Sequence, residues 1–92
     1  MDDLKKKLAD LFMETGHAHH QAYIETDGAD PEWALWYADY LIDKLPAKLE
    51  IEMTKSELIY VLWKLSLEQP LQGPETPWPE YYAQDLIERY KG

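Results

Sequence analysis

The sequence predicts an all-α protein, either a compact four-helix bundle or a pair of helical hairpins. Three observations carry that expectation. Apolar residues recur at helical steps through most of the chain. Prolines and capping residues bracket the periodic stretches. The twelve-residue run from Trp33 to Lys44 returns 45 residues later, from Trp78 to Arg89, with Trp, Tyr, Ala, Leu and Ile identical at five positions. Trp36/Tyr81, Asp43/Glu88 and Lys44/Arg89 exchange like for like. Each copy has a proline-marked start, so both read as helices that open on an aromatic cluster. The rest of the two halves aligns poorly at this offset, and duplication and convergence on one helix-start pattern both fit.

The first helix is expected over about residues 3–25, where Leu4, Leu8, Leu11, Thr15, Ala18 and Ala22 form a stripe widened by Phe12, His19 and Tyr23. Gly16 costs about 1 kcal/mol there relative to Ala. The apolar register passes through it without a phase shift, which favours one continuous helix. After the loop Asp27-Gly28-Ala29, Asp30 is suited to cap, Pro31 to open and Glu32 to complement the dipole of a second helix. That helix is expected over 31–45, stopping before Pro46. Residues 47–53 read as a connector, with a strand-like alternation at Leu49-Glu50-Ile51-Glu52 and nothing evident to pair with it. Thr54 and Glu57 have capping-box spacing ahead of a third helix over 55–68. Pro70, Gly73, Pro74, Pro77 and Pro79 make a stiff link to a fourth helix over 78–90.

A chain of 92 residues with 46% apolar content, four Trp and seven Tyr has material for a single core, hence one domain over 1–92. With no cysteine there is no disulfide or thiolate chemistry, which fits a reducing compartment. No signal-like segment or long apolar run is present, so a soluble, cytoplasmic protein is expected. Eighteen acidic residues against nine basic give a net charge of -9, which disfavours nucleic acid and membrane as partners. Much of the excess lies between Glu25 and Glu52. There Asp27, Asp30, Glu32 and Asp39 form an acidic rim that is simply solvated, a docking surface for a basic protein, or a mimic of nucleic acid.

Helix two is apolar on most sides, through Trp33, Leu35, Trp36, Tyr37, Tyr40, Leu41 and Ile42. Helix three has one apolar face from Leu58, Val61, Leu62 and Leu65 and a second from Ile59, Trp63 and Leu67. Burying one large apolar side chain is worth about 1.5–3 kcal/mol, so a surplus left outside drives association. A homodimer is the expected remedy. Trp33, Trp36, Tyr37, Tyr40, Ile59 and Trp63 are the expected interaction residues. The first four, with Trp78, Tyr81 and Tyr82, also have the chemistry of an aromatic-walled cleft for a small ligand.

His17, His19 and His20 invite a metal reading, and with the acidic loop they define the alternative function, a small-ligand or metal-binding accessory protein. On a continuous helix, however, His19 falls in the apolar stripe while His17 and His20 lie on the far side, so the three diverge. Paired carboxylates are plentiful but none is predicted to be buried, and no nucleophile–histidine spacing or phosphate loop exists. No enzyme activity and no cofactor are expected.

The run Glu25-Thr26-Asp27-Gly28-Ala29-Asp30-Pro31-Glu32-Trp33, with Trp36-Tyr37-Ala38, resembles a pattern in small helical bacterial proteins. The resemblance implies a bacterial source and a compact helical fold, and brings no activity or site residues with it. The function expected from the residues is a non-catalytic interaction module that self-associates through aromatic and apolar helix faces.

Overall fold

All regular structure among the described residues, 2–26 and 30–91 of a computed structural model, is helical. Helix α1 (Asp2–Ala22) runs unbroken through Gly16, as the unshifted apolar register predicts. A single 3-10 turn, Ile24–Thr26, takes the place of its expected last residues. The predicted loop at Asp27, Gly28 and Ala29 lies outside the described residues.

Helix α2 (Trp33–Leu41) starts later and stops earlier than the expected 31–45. Asp30 is a turn former rather than the cap. Its Oδ1 accepts the Glu32 amide at 3.0 Å, and its carbonyl accepts the Trp33 amide at 3.2 Å. Glu32 holds the N-cap position and makes no side-chain bond there. At the other end the Lys44 amide folds back onto the Leu41 carbonyl at 2.9 Å, closing a turn.

A fifth helix follows, α3 (Leu45–Leu49), in the segment expected to be a connector. Pro46 was expected to end a helix; instead it lies in the first turn of a new one, where a missing amide hydrogen leaves no bond unmade. Leu45, Pro46 and Leu49 are all buried. The helix ends on Glu50 in the left-handed region, φ 57° and ψ 43°. The Glu50 amide bonds Ala47 at 3.2 Å and the Ile51 amide bonds Pro46 at 3.0 Å, the paired bonds of a Schellman ending. The strand-like alternation of 49–52 is therefore a helix end that points Leu49 into the core and leaves Ile51 half-buried.

Helix α4 (Lys55–Gln72) begins at the predicted cap, with Thr54 Oγ1 accepting the Glu57 amide at 3.1 Å. Glu57 does not complete the box. Its carboxylate accepts the Tyr90 phenol at 2.8 Å, tying the start of α4 to the end of the last helix. Helix α4 passes the expected stop at 68 and carries Pro70 in its final turn. Gln69 Nε2 secures that end, donating to the carbonyls of Gly73 at 3.1 Å and Thr76 at 3.0 Å. Helix α5 (Trp78–Tyr90) has the expected bounds, with Pro79 in its first turn.

Helix α1 packs chiefly on α5, and α2 chiefly on α4. The core joins Leu8, Leu11 and Phe12 of α1 to Leu41, Leu45 and Leu49, the α4 face Leu58, Val61, Leu62 and Leu65, and Leu86 of α5. The repeated run buries equivalent positions alike: Ala38 with Ala83, and Leu41 with Leu86, are all fully enclosed. Among the described residues, no helix is long and apolar enough to cross a membrane.

Candidate functional site

The aromatic residues of α2 divide between two places rather than forming one wall. Trp33 and Tyr37 meet Trp78 and Tyr82 of α5 around a recess of about 190 Å³. These are the repeat-matched positions, so the sequence likeness places two equivalent aromatic pairs on one cleft. Gly16 of α1 makes the approach possible, since a Cβ there would stand 3.2 Å from Trp78 Cζ2 and 3.4 Å from Tyr37 Oη. The glycine that threatened a kink is a point of close approach. Tyr81 lies elsewhere, beside Gly73.

Trp36 and Tyr40 stack on each other, ring centroids 5.5 Å apart and planes 13° from parallel, at the side where α2 meets His19. Tyr40 donates its phenol to Glu14 of α1, and Lys44 Nζ sits 4.3 Å above its ring while donating to its carbonyl at 3.1 Å. The hydrogen bond to Glu14, more than its partial burial, raises the Tyr40 pKa from the ordinary phenol value.

His19 is buried and bonded, with Nε2 at 3.0 Å from Asp30 Oδ2. Tyr23, Trp36 and Tyr37 surround the imidazole with centroids 4.9, 5.2 and 5.3 Å away. Asp30, read as a rim residue, is thus an internal clasp between α1 and the turn before α2. The hydrogen bond from His19 holds its carboxyl below the usual range, with the Glu32 amide adding to the effect against desolvation. Desolvation and the neighbouring Asp30 raise the phenol of Tyr23.

His17 and His20 point to solvent, away from His19. Among the described residues no three His, Cys, Asp or Glu side chains gather as a metal would require. Glu32 and Asp39 are exposed, Asp39 in an ion pair with Lys55. Asp27 lies outside the described residues. Burial pushes the Tyr82 phenol up to about 12, and burial with the Glu57 bond does the same for Tyr90. Both hold their protons at neutral pH, Tyr90 as a donor to Glu57 and Tyr82 as part of the core surface.

Apolar side chains turn outward mainly on α4. Tyr60, Trp63, Leu67 and Leu71 are 58%, 54%, 51% and 81% exposed, and Ile59 at their margin is half-buried. At about 100° per residue these four share one face, opposite the buried face of Leu58, Val61, Leu62 and Leu65. Trp63 and Leu67 were legible as a second apolar face. Tyr60 was missed although its spacing of three to Trp63 signals it, and Leu71 was lost by ending the helix at 68. Leu35 of α2 adds a further exposed apolar side chain.

Comparison of the chain with protein-family models, with curated proteins and with solved structures finds no match.

Proposed function

We propose that the protein is a non-catalytic interaction module whose first partner is a second copy of itself, joined through the outer face of α4. The observation that carries this reading is the stripe Tyr60, Trp63, Leu67 and Leu71, which spans three turns of one helix and faces away from the core. Contiguous apolar patches beyond a few hundred Å² are rare on monomeric soluble proteins, and those that occur are often functional. Trp and Tyr are the residues that most often dominate binding energy at such sites.

Local charge gives a basic partner no hold on this face, while the overall repulsion between two copies weakens as salt rises. Helix α4 carries Lys55 and Lys64 against Glu57 and Glu68, so it is neutral within a chain of net charge -9. A basic protein would be drawn to the acidic surfaces elsewhere. An antiparallel two-fold pairing centred near Ser66 sets Lys64 of each copy across from Glu68 of the other, beside the paired stripes. The face is smaller than the roughly 800 Å² per partner of a standard interface, so the dimer is reversible and concentration-dependent.

The geometry is tested by zero-length carbodiimide coupling of mixed isotope-labelled and unlabelled chains. Mixed-label peptides joining Lys64 to Glu68 are expected in the dimer band. Coupling confined to peptides outside α4, or no dimer band at high concentration, overturns the reading.

A further inference from the structure

We propose that the cleft between α2 and α5 binds the methylated ammonium group of a small soluble organic cation. Its four lining side chains are all aromatic: Trp33, Tyr37, Trp78 and Tyr82. Neighbouring rings stand steeply to one another, at 87° for Trp33 and Tyr37, 58° for Tyr37 and Trp78, and 73° for Trp78 and Tyr82. They pack edge to face within each pair, with Phe12 against Trp78 and Tyr82, and border a shallow recess open to solvent, with Tyr82 deepest. Centroid separations of 5.3, 6.3 and 5.2 Å keep the aromatic lining contiguous.

The chemistry of such a lining selects the ligand. Aromatic faces are electron-rich, and a cation within about 6 Å of several of them is attracted by each. A quaternary ammonium suits this better than a primary one, because its methyl groups spread the charge and leave no hydrogen bond to be satisfied by a recess built of rings. Among the described residues no lysine or arginine lines the cleft, and the net charge of -9 concentrates cations and repels anions at the surface. The volume of about 190 Å³ is below that of clefts for drug-sized molecules, so it admits a head group and little more. Gly16 beneath Trp78 and Tyr37 keeps the two aromatic pairs near enough to share one ligand. The site uses none of the residues of the α4 stripe, so the two proposals stand or fall separately.

The test is a titration of the full chain with tetramethylammonium, with choline, and with the neutral isostere of choline in which carbon replaces nitrogen, at constant ionic strength. Tryptophan fluorescence and calorimetry are the readouts. Saturable binding of both cations, with the isostere roughly tenfold weaker, is expected. No saturable response, or equal affinity for cation and isostere, overturns the proposal. Trp33→Leu and Trp78→Leu are each expected to abolish the preference for charge, and a preserved preference in both overturns it too. The comparison of ligands on the unaltered chain decides even where a variant folds poorly. Phosphatidylcholine vesicles form a final arm: recovery of the protein with the vesicles, without response to free choline, contradicts a soluble ligand.

Discussion

Trp78 of α5 rests against the backbone of Gly16 in α1, close enough that a Cβ on Gly16 would lie 3.2 Å from Trp78 Cζ2. Adding one carbon there gains about 1 kcal/mol of helix propensity and loses a similar amount to crowding. Gly16→Ala is therefore expected to change stability little. Gly16→Leu cannot be accommodated by a small shift of the ring and should lower stability by about 1–3 kcal/mol, read from urea denaturation.

Glu50 adopts the left-handed conformation that ends α3 and has no glycine to relieve it. An L-residue in that region is strained by roughly 1–2 kcal/mol, partly offset by the greater freedom glycine has when unfolded. Glu50→Gly is expected to raise stability by up to about 1 kcal/mol, with an unchanged helical circular-dichroism signal. A loss of stability would show that the Glu50 side chain contributes more than its backbone costs.

Asp30 gives a pH dependence of definite sign. Its folded pKa is lowered, mainly by the hydrogen bond from His19. Its contribution is therefore present above the ordinary carboxylate pKa of about 3.9 and lost as pH falls through the lower folded value. Asp30→Asn should be less stable than the parent at neutral pH, and the gap should close in acid. Urea midpoints at neutral pH and at successively lower values check this, and a gap that persists undiminished in strong acid would contradict it.

At the alkaline end the sign reverses. Tyr82 and Tyr90 are raised to about 12, so the stability they lend is complete below the ordinary phenol pKa of about 10 and lost as pH rises through the folded values. Tyrosinate absorbance should rise late, its last part near pH 12 coinciding with unfolding. Tyr82→Phe should remove part of that last rise and leave the earlier absorbance unchanged.

Helices were legible where period and punctuation agreed, as in α1, in α5 and at the Thr54 start of α4. The misses share a cause: a residue with two structural uses was read in one of them. Pro46 and Pro70 were read as stops, but a proline near a helix end forfeits little, and Gln69 secures the turn that holds Pro70. Asp30 and Glu57 were read as local caps, yet their carboxylates serve His19 and Tyr90, 11 and 33 residues away. Only the folded chain brings those partners near. The same limit applied to the candidate site. An aromatic-walled cleft was legible from seven residues, Trp33, Trp36, Tyr37, Tyr40, Trp78, Tyr81 and Tyr82, but not that only Trp33, Tyr37, Trp78 and Tyr82 among them line it. The second face of α4 and its surplus were visible in the spacing, but not that helix α4, rather than α2, carries most of the exposed part.

Sedimentation equilibrium over a wide concentration range tests the central claim most directly, with Trp63→Glu beside the unaltered chain. The mass of the unaltered chain is expected to rise from 10.9 kDa toward twice that value. The variant should stay at the monomer mass with its helicity intact. A monomer mass for the unaltered chain throughout, or a dimer indifferent to Trp63→Glu, would contradict it.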